Sequence, residues 1–186
     1  MAYASEDLVR EHISISLSLD ILEKMAHAIK QTGKADMKDI DHLLNYFRVY
    51  TDTYHDGKEE GFLFPAMEEC GIVNKGGPIG QLLAEHNEAR QCVRDMTQAT
   101  AGGMLQADKF VQAATVYIQL MRAHIQTENT KVFPSGDQLL PEDVEKFLIK
   151  QFDEFEEEVI GKGVHQQLKD TLHMLDLKYI KASHTA

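Results

Sequence analysis

Residues 5–33 read SEDLVREHISISLSLDILEKMAHAIKQTG, and the apolar positions Leu8, Ile15, Leu19, Leu22, Ala26 and Ile29 recur at helical spacing. With His12 included, the steps alternate between four and three, the seam of a helix facing a bundle core. A histidine occupies a place where leucine is expected. Ser5-Glu6-Asp7 is a helix start with acidic residues in its first turn, and Thr32-Gly33-Lys34 is a stop.

The same period continues along the chain. A second segment starts at Asp36 and runs through Ile40, Leu43, Leu44, Phe47 and Tyr54 to about Gly61. Phe62-Leu63-Phe64-Pro65 is expected to break or kink it, with a short piece reaching Cys70. After a loop from Gly71 to Gly77, Pro78 opens a third helix that passes Ile79, Leu82, His86, Ala89, Val93 and Met96 and ends at Gly102-Gly103. A fourth spans about Gln106 to Lys131 through Phe110, Tyr117, Leu120, His124 and Glu128, and Val132 to Gly136 is expected to close it. Amphipathic segments follow at about Glu142 to Ile160 and Val164 to Lys181. No strand pattern interrupts them. The expected fold is all-α: an up-down-up-down four-helix bundle over residues 1–135, with a C-terminal helical pair over 136–186 packed on it as part of the same domain.

Within that bundle the seam histidines fall at one level. His12 and His86 lie about two turns after the starts of their helices, His55 and His124 about two turns before the ends of theirs. In an up-down bundle those four ends coincide, so four imidazoles meet roughly 10 Å below one end. His55 and His124 each bring a glutamate at i+4, Glu59 and Glu128, stacked on the same inward face. Any one such residue alone is an ordinary core or surface feature. Six together, buried without partners, would cost many kcal/mol. A metal pair removes that cost: each carboxylate bridges two cations, and each cation receives two imidazole nitrogens. Nitrogen and carboxylate ligands without thiolates suit iron, then manganese or zinc, in place of a structural zinc site.

Composition narrows the partners. The 186 residues carry 19 Lys+Arg and 30 Asp+Glu, a formal charge of −11, which disfavours nucleic acid and anionic membranes. Two cysteines without CxxC spacing, and an N-terminus without a basic and apolar leader, fit a cytoplasmic protein.

These residues give the chain a family resemblance. Arg10-Glu11-His12, Tyr54-His55-Asp56-Gly57-Lys58-Glu59-Glu60-Gly61-Phe62-Leu63-Phe64-Pro65, Glu85-His86-Asn87-Glu88 and His124-Ile125-Gln126-Thr127-Glu128-Asn129 resemble the hemerythrin-like (HHE cation-binding) domain over residues 1 to about 135. The resemblance implies a non-haem di-iron site, oxo- or hydroxo-bridged, with His12 and His55 on one iron, His86 and His124 on the other, and Glu59 and Glu128 as bridges. Two departures stand out. Oxygen-carrying hemerythrins have a second histidine one turn after the first on the third helix, where this chain has Arg90. Their fourth helix carries an aspartate five residues beyond its histidine, where this chain has Glu128 after four.

Other side chains have places near this layer. Tyr117 shares the inward face of His124 and either offers a phenol to a bound ligand or is a core tyrosine; Arg90 either donates to a bridging carboxylate or reaches the bundle end. Asp56, one residue from His55, points about 100° away and is expected beside the ligands or in solvent. Phe62, Leu63 and Phe64 are expected to wall the pocket or simply to fill the core. His165 is expected at a helix start, and His27, His42, His173 and His184 on the surface. The expected function is binding of, or reaction with, O2, peroxide or NO, as a carrier or as an oxidoreductase turning over peroxide or NO. The competing expectation is an iron, oxygen or redox sensor, or an iron-handling (iron-centre repair) module without turnover, acting on a protein partner that the sequence does not name.

Overall fold

The computed structural model describes residues 2–161 and 163–184, the side chains of 183 and 184 excepted. Among them every regular element is helical: α1 (Ser5–Thr32), α2 (Met37–Tyr46), α3 (Phe64–Glu69), α4 (Pro78–Ala99), α5 (Ala107–Thr127), α6 (Phe133–Leu139), α7 (Glu142–Phe155) and α8 (Val164–Tyr179). Local signals set the ends. Gly33 takes a left-handed conformation (φ 68°) and returns its N–H to the Ile29 carbonyl, closing α1. The Asp36 side chain accepts from the Lys38 N–H at 3.1 Å and caps α2. Pro78 sits in the first turn of α4, where its missing N–H costs no bond.

Neither proline-containing stretch ends its helix. Between α2 and α3 the chain stays helical through wider π turns at Phe47–Asp56 and Glu59–Leu63, and between α5 and α6 through one at Glu128–Val132. The Phe64 N–H bonds to the Glu59 carbonyl and the Phe133 N–H to the Glu128 carbonyl, five residues back in each case. Each π turn ends one helical register, and the next begins at the phenylalanine. Pro65 and Pro134 then fall in a first turn, where a proline is tolerated. The expectation that residues 132–136 close the fourth helix is corrected on this ground: the rod continues to Leu139. Gly136 lies inside it, facing Met67 so closely that a Cβ would meet the Met67 Cε.

Helices α1, α4 and α5 and the rod spanning 37–69 surround the core. That core is divided. One apolar cluster includes Ile15, Leu19, Leu22, Phe47, Val93, Met96 and Tyr117; the other includes Leu8, Leu63, Phe64, Leu82, Val132 and Phe133. Between them, buried, lies a polar layer of His12, His55, Glu59, His86, His124 and Glu128. The last two rods join both clusters: Leu168, Leu172 and Leu175 of α8 pack into the first, and Leu148 and Phe152 of α7 into the second. α7 and the α6 extension thereby add cover at the end of the bundle nearest the polar layer. No helix among the described residues is long and apolar enough to cross a membrane.

Candidate metal centre

The six residues that the spacing selects come together in two groups of four. His12, His55, Glu59 and Glu128 offer ligand atoms within 4.8 Å of one another, and so do Glu59, His86, His124 and Glu128. Both glutamates are common to the two groups. Each carboxylate spans them: Glu59 Oε1 lies 3.5 Å from His55 Nε2 and Oε2 lies 3.3 Å from His86 Nε2. Glu128 Oε2 lies 3.2 Å from His12 Nε2 and Oε1 lies 3.1 Å from His124 Nε2.

The surrounding contacts assign the protons. Each histidine Nδ1 meets an oxygen acceptor: Asn129 Oδ1 for His12, Glu11 Oε2 for His55, Glu60 Oε1 for His86 and Glu85 Oε2 for His124, all at 2.7–2.8 Å. An ionised carboxylate only accepts, so Nδ1 carries the hydrogen and a neutral ring turns the Nε2 lone pair inward. The Nε2 atoms then face each other in pairs, 3.0 Å apart for His12 and His55 and 3.1 Å for His86 and His124. None of the four carboxylate oxygens of Glu59 and Glu128 has a hydrogen-bond partner among the described residues. Fully buried lone pairs aimed at one another are costly unless cations lie between them. The donor set therefore fits metal cations.

Electrostatics agree. Burial opposes charge on the imidazoles, yet Asp56, Glu59 and Glu60 lift His86 to about 11, and Glu128 and Glu85 lift His124 to about 10. Burial likewise works against the Glu128 carboxylate, but His124 and His12 hold it down to about 2. His55 goes the other way, pushed well below the usual value by burial and by His12. The layer calls for positive charge.

The local pattern is a pseudo-two-fold. Glu11-His12 on α1 matches Glu85-His86 on α4, and His55-x-x-x-Glu59-x-x-x-x-Phe64-Pro65 matches His124-x-x-x-Glu128-x-x-x-x-Phe133-Pro134. Even the ring contacts are paired: Phe133 stacks on His12 at 5.7 Å and Phe64 on His86 at 6.0 Å. The residue after each bridging glutamate breaks the symmetry, being Glu60 on one side and Asn129 on the other. So do the outer charges. Glu11 is bonded by Lys58, a fully buried lysine that also reaches Asp7 and lies over the Tyr54 ring at 4.2 Å. Burial pushes Glu11 up to about 7 against the pull of Lys58.

The neighbouring candidates are sorted by the same contacts. Arg90 reaches neither bridge; its guanidinium donates to Glu60 Oε1 at 2.7 Å and Asp52 Oδ1 at 2.6 Å, and so acts on His86 through Glu60. Tyr117 is buried against Phe47 and lines, with Asp56 and Arg90, a cavity between α4 and the 37–69 rod. Asp56 is buried rather than solvent-facing. Its Oδ1 has no hydrogen-bond partner among the described residues, lies 3.9 Å from His86 Nε2, and burial raises the group to about 7. Of the Phe62–Phe64 run only Phe64 walls the layer by a ring contact, while Phe62 turns to Phe152 and Phe155. His165 opens α8 and contacts Glu156, Tyr50 and Tyr54 instead of covering the layer. His27, His42 and His173 are exposed; the side chain of His184 lies outside those described. Glu11, Glu60, Glu85 and Asn129 do not share the inward helical spacing of the six central residues. Their signal was the repeated Glu-His dipeptide and the position after each bridging glutamate.

Comparison with known proteins places this geometry. Residues 3–135 match the hemerythrin HHE cation binding domain. The chain is also 23% identical over 171 residues to the uncharacterized proteins Rv1995 and MT2051 of Mycobacterium tuberculosis (strains H37Rv and CDC 1551) and Mb2018 of Mycobacterium bovis. Those matches take in 90% of this chain and 66% of the relatives' length, a little under two thirds. No solved structure matches it. With the family match spanning most of the sequence, the chain belongs to the hemerythrin HHE cation-binding domain family.

Proposed function

We propose that the chain holds two iron ions in the polar layer and binds or reacts with a small ligand, O2, peroxide or NO, on the His86 side. The observation that carries this reading is the bridging placement of Glu59 and Glu128, each with one orphaned oxygen toward either histidine pair. His12 and His55 would hold one ion, His86 and His124 the other, and both glutamates would be shared. When bound, the two ions would supply one-electron redox chemistry toward such a ligand.

The chain's own residues account for the rest. The four Nδ1–H donors are anchored, so each ring keeps its Nε2 aimed inward before any metal arrives, and a bound cation would displace the proton there. Leu8, Leu82, Phe64 and Phe133 exclude water from the bundle end. Asp56 places a carboxylate beside the His86 pair at the inner end of the cavity, positioned to accept or return a proton there. Among the described residues the His12 pair has no such neighbour: its surroundings are Asn129, Phe133 and the Glu11–Lys58 pair. That asymmetry favours ligand access on the His86 side.

The test is an anaerobic-to-aerobic optical titration of iron-loaded protein, followed by stopped-flow addition of peroxide and NO. Reversible spectral change in air supports binding, and multiple turnovers of peroxide or NO support an enzyme. Iron-loaded protein inert to all three ligands would overturn the reading.

A specific contact favours a second reading, a sensor or iron-handling module. Tyr54, next to His55, donates to Glu156 at 2.9 Å, and Glu156 holds His165 at the start of α8. Changes at His55 have a direct path to the C-terminal helices. Inertness toward ligands combined with a metal-dependent change in α8 protection, read by hydrogen exchange, would select this reading.

A further inference from the structure

The cavity beside Asp56 is built for more than a diatomic molecule. Its volume is about 460 Å³, within the range of sites for organic ligands. The inner wall is apolar, formed by Phe47, Ala89, Val93 and Tyr117, all buried, while Arg48 and Arg94 stand exposed at the mouth. Three of the five arginines in this chain of charge −11 line this one cavity. Arg90 is committed to Asp52 and Glu60. Arg48 and Arg94 donate only to neutral acceptors, Thr97 Oγ1 and Gln91 Oε1, and form no ion pair with a carboxylate among the described residues.

We propose that this cavity binds an organic monoanion with an apolar tail, of the medium-chain carboxylate class. The charge order sets its direction. The inner end presents an apolar wall and the buried Asp56 carboxyl, whereas the two arginines at the mouth attract an anionic head. The head lies between Arg48 and Arg94, where bidentate guanidinium bonding to a carboxylate is available. The tail runs inward past Val93 and Ala89 toward Tyr117. Along α4 the distance from Thr97 to Ala89 is roughly 12 Å, which an extended chain of about ten atoms spans at ~1.2 Å per bond. Apolar walls with a few convergent polar groups are the usual composition of such a site. The proposal does not depend on metal occupancy.

Isothermal titration of the full chain with decanoate tests it, on protein as purified and after chelation. The expected result in both is one saturable site per chain, weakened at least tenfold in the double variant Arg48→Gln/Arg94→Gln and weakened by added salt. Both arginines are exposed, so that variant should keep the fold, to be checked by circular dichroism. Val93→Phe, which fills the inner wall, should reduce binding without touching the charges. Decanol, with the same tail and no charge, should bind at least tenfold more weakly than decanoate. Absence of saturable binding at millimolar decanoate, undiminished binding by the double variant, or equal binding of decanol would each overturn the proposal.

Discussion

His86 Nε2 and His124 Nε2 face each other at 3.1 Å while both rings give their Nδ1 hydrogens to glutamates, Glu60 and Glu85. Two neutral imidazoles so anchored meet lone pair to lone pair. A proton relieves one contact, whereas a cation relieves both and satisfies Glu59 and Glu128 as well. The pH behaviour follows. In the metal-free chain the folded-state values of about 11 and 10 lie above the ordinary value of 6.5. Their stabilisation is therefore fully present below about pH 6.5 and lost as pH rises through 10 to 11. Metal competes with those protons, so the Tm difference between loaded and metal-free chain should widen from about pH 6.5 to 9.5. Calorimetry at three pH values checks this, and a constant difference would contradict it. On the acid side, Glu128 is held down to about 2, so its contribution falls away as pH drops from about 4.5 toward 2.

Glu11 and Lys58 form a buried pair behind His55. Lys58→Met leaves Glu11 buried without its cation and should destabilise the fold by about 3–5 kcal/mol. The double variant Lys58→Met/Glu11→Gln should recover a good part of that, read by urea unfolding. Recovery of nothing would mean the lysine acts through packing alone.

Arg90 and Glu60 position His86 in the same indirect way. Glu60→Ala should weaken metal binding about 10–100-fold, the usual effect of removing an outer hydrogen-bond partner of a ligating histidine. Arg90→Ala should do less, because Glu60 keeps its bond to His86 Nδ1. Competition with a chelator of known affinity measures both, and a larger effect for Arg90→Ala would reverse their assigned order.

Two glycines test the backbone account. A Cβ at Gly80 would stand 2.4 Å from the Asn74 carbonyl oxygen, which is held by the Gly77 and Gly80 N–H groups. Gly80→Ala should cost about 1–3 kcal/mol. Gly61, within a π turn, has nothing within 4 Å of such a Cβ, so Gly61→Ala should be neutral or stabilising by up to about 1 kcal/mol. Equal Tm values for the two variants would contradict the difference in space.

Much of this was legible in the sequence because helical period carries geometry. Leu8, His12, Ile15 and Leu19 define a face, and the shared level of four histidines follows from counting turns. The prolines misled at one point. Pro134 reads as a stop by its chemistry, but the π turn that absorbs it is a backbone choice with no period of its own. Glu11, Glu60 and Glu85 escaped because adjacent residues on a helix point apart, so their contacts with His55, His86 and His124 exist only between helices. For Asp56 the 100° rule leaves two places, beside the ligands or in solvent, and the contact with His86 across the helix interface selects the first.

Metal analysis of the wild-type chain from iron-replete cells, beside Glu59→Ala and Glu128→Ala, shows whether the two glutamates hold a metal pair. Shared bridging carboxylates predict two irons per wild-type chain and a drop to one or none in either variant. A folded wild-type chain without metal, or two irons retained in either variant, would contradict it.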